Sequence, residues 1–329
     1  MSFPLTPPAP APSGPLPFIL CIVGPTGAGK TAAALALAEV LPISVINADS
    51  RQIYRDFPII TAQPSAGERA RCPHLLYGFL PTREKLGAGE YSRLAASAVN
   101  SETARGRLPA LVGGTGLYVK ALIEGMAPIP EVAPDIRTLW QRRYAEEGGP
   151  ALHAFLAGKD PAYASKIHPH DRQRITRALE VWQATGKNLS CWHAGPLPPA
   201  PYRVAKISLE LPLAELEPLL QKRMEGMLRN GAEDEAREAL RRCPDPEAPG
   251  WSGVGCGELR AYVEGSLSLT DCKNLWLKNT RAYAKRQLTW FRADKELVRF
   301  RPDRPEELVR HLVRMRREYA GISCPGGLA

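Results

Sequence analysis

At 329 residues the chain is long enough for one large core and a smaller unit, and its 44% hydrophobic and 23% charged residues are ordinary globular composition. No apolar run approaches the roughly 18 residues needed to cross a bilayer, which excludes a helical membrane protein and predicts a soluble, cytoplasmic one. Forty-three Lys and Arg against 34 Asp and Glu give a formal charge of +9, a balance that suits a polyanionic partner without requiring one.

Residues 1–17 hold seven prolines and no Lys or Arg, so they read as a disordered leader and lack the charged start of a targeting segment. Phe18 to Val23 is a short apolar run that predicts a strand, and Thr31 to Val40 predicts the helix after it. Ile43 to Asn47 and Ala110 to Val112 are further strands, the latter leading through Gly113, Gly114, Thr115 and Gly116 into a helix over Leu117 to Ile123. Strands alternating with helices predict an α/β fold with a parallel, helix-covered sheet. Between two proline-rich stretches, Pro128 to Pro134 and Pro196 to Pro201, the pattern is helical, with helices over Ile136 to Glu147, Ala151 to Ala157 and Asp171 to Thr185. Val204 to Leu211 predicts a returning strand. Helices follow over Leu213 to Leu228, Glu233 to Arg242, Trp276 to Arg292 and Pro305 to Tyr319. The expected organisation is a leader (1–17), a catalytic core (18–129 and 202–320), a helical insertion (130–201) and a flexible tail (321–329).

The segment Gly24-Pro25-Thr26-Gly27-Ala28-Gly29-Lys30-Thr31 fits the pattern GxxxxGK followed by Ser or Thr, between a strand and a helix. In such a P-loop, backbone N–H groups and a helix N-terminus face an anion, Lys30 neutralises phosphate oxygen and Thr31 can ligate Mg²⁺. The loop does not say which phosphate it holds; by itself it fits an ATP-using kinase or NTPase as well as any other phosphate ester. Asp49 follows the second strand, so it emerges at the carboxyl edge of the sheet beside the P-loop, where ligands sit in open α/β sheets. A carboxylate there can serve as a general base or as a metal ligand, or it can cap a following helix. The run Asp171-Arg172-Gln173-Arg174-Ile175-Thr176-Arg177 sets Arg174 and Arg177 three apart on one helical face, able to meet phosphates or to form a solvated charge stripe. Arg281, Lys285, Arg286 and Arg292 are interleaved with Tyr283, Trp290 and Phe291, a mix that can stack on loop bases, with packing the simpler reading for Trp276 and Phe291. The seven cysteines are scattered and form no CxxC pair, which predicts reduced thiols and no structural zinc.

Five segments, GPTGAGKT, ADSRQIYR, LVGGTGLYVKAL, DRQRITRALEVWQATGK and TRAYAKRQLTWFR, occur in an order and spacing that resembles the bacterial tRNA dimethylallyltransferases, or IPP transferases. The resemblance covers most of the chain from Phe18 to about Arg292. It implies transfer of a dimethylallyl group from dimethylallyl diphosphate to N6 of adenosine 37, 3′-adjacent to the anticodon, in tRNAs reading codons that begin with U. It implies a monomer whose loop Gly24 to Thr31 holds the diphosphate, with Thr31 on Mg²⁺ and Asp49 taking the N6 proton. Arg223, in a segment similar to the family's R-x-x-x-M-x-x-x-G element, would reach the diphosphate. The tRNA anticodon stem-loop would meet Asp49, Ser50, Arg51, Gln52, Thr115, Arg137, Gln173, Arg174, Ile175, Thr176, Arg177, Arg281, Lys285 and Arg286. The chain departs from the family pattern where Gln63 stands for a lysine, where Pro73-His74-Leu75 replaces His-His-Leu, and at Val254-Gly255-Cys256-Gly257-Glu258, which lacks an aromatic and a cation. Other readings keep the chemistry but take free AMP or ADP as acceptor, or make the chain an RNA-binding module. The helical insert and basic C-terminal helices weigh against the first and the intact P-loop against the second.

Overall fold

The computed structural model describes residues 16–197 and 201–319. The expected leader, apart from residues 16 and 17, and the expected tail lie outside these. Strand β1 (Phe18–Val23) is apolar throughout, and its side chains divide between two cores. Leu20 and Ile22 face one core; Ile19, Cys21 and Val23 face the other. A strand buried on both sides is what a helix-covered parallel sheet demands, because crossover helices occupy both faces. The chain continues through α1 (Lys30–Ala38), β2 (Ile43–Asn47), α2 (Ala66–Arg71), β3 (His74–Leu75), α3 (Ala88–Ala104), β4 (Leu108–Gly113) and α4 (Gly116–Ile123).

A second compact unit, Glu124–Pro199, follows. It holds α5 (Pro134–Glu147), α6 (Gly149–Lys159), α7 (Pro161–Ala164), α8 (Arg172–Thr185) and α9 (Leu189–His193) around Trp140, Leu152, Leu156, Ile175, Leu179 and Val181. This unit starts at the end of α4, earlier than position 130, because Val132 of the proline-rich stretch is itself buried in its core and Ile129 packs against it. Proline occupies the first turn of α5, α6 and α7, where its missing N–H costs nothing.

The first unit resumes with β5 (Arg203–Leu209), α10 (Leu213–Arg229), α11 (Ala232–Arg242), a 3₁₀ turn (Pro249–Ser252), α12 (Cys256–Val263), α13 (Leu269–Arg292), β6 (Val298–Phe300) and α14 (Pro305–Tyr319). The strands order as β3-β2-β4-β1-β5-β6, and each pairing is parallel, with Leu20 opposite Ala110 on one side and Ala205 on the other. One face is covered by α1, α10 and α14 through Leu35, Leu37, Leu216, Leu220, Leu308 and Leu312. The opposite face is covered by α3 and α4, where Tyr91 and Tyr118 stack with ring centroids 3.8 Å apart. A third core of Ile53, Tyr54, Phe57, Met224, Trp251, Leu259 and Trp276 joins the segment after β2 to α10, α12 and α13.

Helices α2, α3, α7, α9 and α12 escape the sequence reading. Helix α3 buries mainly small residues, Ala95 and Ala98, beside Tyr91, Val99 and Glu102, so its hydrophobic stripe is faint. Helix α12 is short, and α13 begins at Leu269 rather than near Trp276 because the Ser268 hydroxyl accepts the Asp271 N–H and caps it there.

Candidate active site

The carboxyl ends of β1, β2 and β4 converge on the glycine loop. Gly24 leaves β1 at φ 137°, and a Cβ there would lie 2.3 Å from the Leu209 carbonyl oxygen, so only glycine lets the loop turn against β5. The Lys30 ammonium folds back to donate to the carbonyl oxygens of Gly24 (3.0 Å) and Pro25 (2.8 Å). Burial pulls this amine down to about 8, with Asp49 opposing that shift and Arg223 adding to it. Thr31 stands in the first turn of α1, with Ala28 and Gly29 before it.

Asp49 follows β2 in a turn that its own side chain closes: Oδ1 accepts the Arg51 N–H at 2.9 Å, and the Asn47 side chain clasps the Asp49 N–H and carbonyl. No helix begins there, so the capping reading of Asp49 does not hold; an Asx turn takes its place. Thr115 links this turn to the loop after β4, accepting the Ser50 N–H (2.9 Å) and donating to the Ser50 hydroxyl (3.2 Å). Arg51 donates to the Ser252 hydroxyl at 2.7 Å. Gln52 spends its amide N–H groups on the carbonyls of Thr61 (2.9 Å) and Ala62 (2.7 Å), which makes it a brace for the following loop.

These groups border a cavity of about 170 Å³. Its lining combines the polar Thr26, Asp49, Arg51, Arg223, Tyr283 and Arg286 with the apolar Ile60, Leu220, Met224, Met227, Val254 and Trp276. Arg223 is half-buried beside Met224 on α10, not a solvated helix residue; burial lowers its guanidinium and Asp49 counters it, which places the two in electrostatic contact. On α13, Trp276, Thr280, Tyr283 and Arg286 share the face that lines this cavity. Arg281 and Lys285 lie on another face, along a groove of about 490 Å³, and Arg281 pairs with Glu217 at 3.0 Å.

In the Glu124–Pro199 unit, Arg137 sits in α5, and Gln173 and Arg174 are exposed on α8. Arg174 lies 3.4 Å from Asp171, and Arg177 3.6 Å from Glu180. Ile175 is fully buried, and Thr176 donates its hydroxyl to the Arg172 carbonyl. Side-chain contact of these two with RNA is therefore corrected: both are held inside their own unit.

Several residues that shape the site escaped the sequence reading. Gln287 joins the P-loop to the turn after β4, and Ile60, Thr61, Met227 and Val254 complete the cavity wall. For Gln287 a signal existed, since it continues the 276, 280, 283 spacing of one α13 face. At the departures from the family pattern, Gln63 donates to the Tyr54 carbonyl at 2.7 Å, and Cys256 is wholly buried against Gly253.

The family model described as IPP transferase matches residues 52–294, and that of isopentenyl transferase matches residues 18–72. The chain is 57% identical over 279 residues to the tRNA dimethylallyltransferase of Oleidesulfovibrio alaskensis, covering 85% of this chain and 92% of that one. It is 55% identical over 297 residues to the Nitratidesulfovibrio vulgaris protein of the same name, covering 90% and 96%. Among solved structures, the full-length tRNA isopentenylpyrophosphate transferase of Bacillus halodurans superposes with a TM-score of 0.68 at 31% identity, over 92% of this chain and 97% of that one. A eukaryotic dimethylallyltransferase acting on tRNA gives a TM-score of 0.73 at 26% identity, over 86% and 73%. On these matches, and on a parallel sheet that carries its P-loop and Asp49 at one edge, the chain belongs to the IPP transferase family.

Proposed function

We propose that this chain transfers a dimethylallyl group from dimethylallyl diphosphate to N6 of adenosine 37 of tRNA, releasing diphosphate. The observation that carries this reading is the mixed lining of the cavity: Thr26 and Arg223, next to the Lys30 loop, suit a diphosphate, and Ile60, Leu220, Met224, Met227 and Trp276 suit a short branched hydrocarbon. A nucleotide would need a polar base site there instead.

N6 attacks the allylic carbon as its bond to the diphosphate oxygen breaks, and the N6 proton passes to the Asp49 carboxylate. The Lys30 ammonium leaves the Gly24 and Pro25 carbonyls for the phosphate oxygens, and Arg223 offers a planar pair of donors to the same group. Charge neutralised at the leaving group is what this displacement needs, because an allylic centre already tolerates positive charge. Among the described residues no cluster of three or more His, Cys, Asp or Glu could cage a metal. A hydroxyl at Thr31 and a carboxylate at Asp49 are hard oxygen donors of the kind Mg²⁺ accepts alongside substrate phosphates and water. Thr31 would hold it, and it would supply further charge neutralisation at the diphosphate.

On the acceptor side, Ser50, Arg51, Thr115 and Arg286 would meet the adenine and its neighbours, with the exposed Arg281, Lys285, Gln173 and Arg174 and the partly exposed Arg137 and Arg177 meeting backbone phosphate. No helix among the described residues is long and apolar enough to cross a membrane. The described cysteines are free thiols, consistent with a reducing, cytoplasmic setting. Incubation with labelled dimethylallyl diphosphate, Mg²⁺ and unmodified tRNA should place the label on adenosine 37. ATP turnover that survives Asp49→Ala, with no label in the RNA, would instead make the chain a P-loop phosphotransferase.

A further inference from the structure

Helix α11 opens with Glu233, Asp234 and Glu235 in its first turn, where carboxylates favour the helix dipole. Glu233 behaves as such a residue should, pairing with Arg237 at 2.6 Å on the same helix. Glu235 does something else. Its Oε2 accepts the Ile59 N–H at 2.7 Å and its Oε1 accepts the Ile60 N–H at 2.8 Å, across 176 and 175 positions of chain. Burial raises this carboxyl to about 7 against the pull of those two bonds, and the neighbouring Asp56 adds to the rise. A carboxylate is thus held in a poorly solvated place to satisfy two main-chain donors of one loop.

That loop is a run of tight turns. It turns through Thr61 N–H to the Phe57 carbonyl (3.1 Å) and Ala62 N–H to the Ile59 carbonyl (2.9 Å), with Ala62 at φ 52°. Its carbonyl side is braced by Gln52, which bonds Thr61 and Ala62, and its N–H side by Glu235. Between the two braces, Ile60 and Thr61 form part of the cavity wall, beside Met224 and Met227.

We propose that Glu235 is a positioning residue for the prenyl group, fixing the Ile60–Thr61 wall against which the five-carbon chain packs and thereby selecting its length. The inference rests on the reading that this cavity takes an isoprenoid diphosphate, and it adds which residue sets the hydrocarbon end. Glu235 lies on the loop side, so its influence should fall on the hydrocarbon and spare the diphosphate.

Equilibrium binding to the full chain separates these effects, using dimethylallyl diphosphate, geranyl diphosphate and inorganic diphosphate as probes. Glu235→Ala should weaken dimethylallyl diphosphate about tenfold, leave inorganic diphosphate within about twofold, and raise the affinity for geranyl diphosphate relative to dimethylallyl. Glu235→Gln keeps one acceptor oxygen and should fall between the two. Ile60→Ala, which opens the wall directly, should shift the same ratio, and combined with Glu235→Gln the shifts should fail to add, because both act on one loop. Equal losses for all three diphosphates, or additive shifts in the double variant, would overturn the proposal. Because binding is read without turnover, these results stand whether or not the parent chain prenylates tRNA; failure of that parent reaction counts against the proposed function instead.

Discussion

Gln287 places its amide oxygen 2.9 Å from the Thr26 N–H and donates through Nε2 to the Gly114 carbonyl at 3.0 Å, so one side chain of α13 ties the P-loop to the turn after β4. It is only 5% exposed, so neither bond has water as a ready substitute. Gln287→Leu keeps the volume and strands both backbone groups. At about 1–3 kcal/mol for each orphaned buried group, the variant should lose about 2–6 kcal/mol of stability. Diphosphate binding should weaken with it, since the loop amide loses its anchor. Urea unfolding with an unchanged midpoint would show the bridge to be idle.

Lys30 gives a pH prediction with a definite sign. Its folded-state value is lowered from 10.5 to about 8, with burial the main cause. Between those values the unfolded chain holds the extra proton, so this amine makes stability rise as pH climbs from about 8 toward 10.5. Below about 8 both states are protonated and the full cost of burying the charge is present. Lys30→Met should therefore be more stable than the parent at neutral pH, with the difference closing by pH 10.5. Diphosphate binding runs the other way. The anion needs the charged amine, so the affinity of the parent for inorganic diphosphate should fall as pH rises above about 8, and Lys30→Met should bind weakly with that dependence gone. Calorimetric titration across this range checks both.

Asp49→Asn separates charge from shape. An amide oxygen can still accept the Arg51 N–H, so the Asx turn and the fold should survive. The proton acceptor is lost, and single-turnover transfer to tRNA should slow by about 10²–10⁴-fold, the usual worth of a general base. Affinity for dimethylallyl diphosphate should hold or improve, since a carboxylate facing Arg223 and Lys30 competes with the substrate for them. A variant that transfers prenyl groups at the parent rate would remove Asp49 from the chemistry.

How far the sequence reaches follows from where each feature draws its parts. The P-loop is legible because its work is local: eight consecutive residues provide the turn, the cation and the helix start. The four longer strands read well because a parallel strand is apolar at nearly every position, as Phe18 to Val23 is. Strands β3 and β6, of two and three residues, are too short to show a pattern and escape the sequence reading. The cavity is a different matter. Ile60, Met224, Val254 and Trp276 come from four separated segments and meet only through the third core, so no spacing announces them. Gln52 looks in sequence like an acceptor-side residue beside Asp49, and its amide instead braces Thr61 and Ala62, a partner choice that only the folded loop decides. Ile175 and Thr176 sit between arginines in a basic run, yet the 3.6-residue turn of α8 carries them inward while Gln173 and Arg174 stay out.

Two glycines of the turn after β4 should answer differently to the same substitution. A Cβ on Gly113 would stand 2.2 Å from both the carbonyl carbon and the oxygen of Ala48, main-chain atoms of the segment that carries Asp49. They move only if the whole Asp49 turn moves. Gly113→Ala should cost more than about 3 kcal/mol and displace the carboxylate, so activity should fall with stability. A Cβ on Gly116 would meet the Trp290 indole at 1.9 Å, which is tighter still. Trp290, however, is 45% exposed at the end of α13, so its ring can swing toward solvent, and alanine in place of glycine favours helix α4 by about 0.5–1 kcal/mol. Gly116→Ala should therefore stay within about 1 kcal/mol of the parent. Thermal unfolding of both variants decides it: equal losses would mean that the closer contact governs, and that the freedom of the contacted atom counts for nothing.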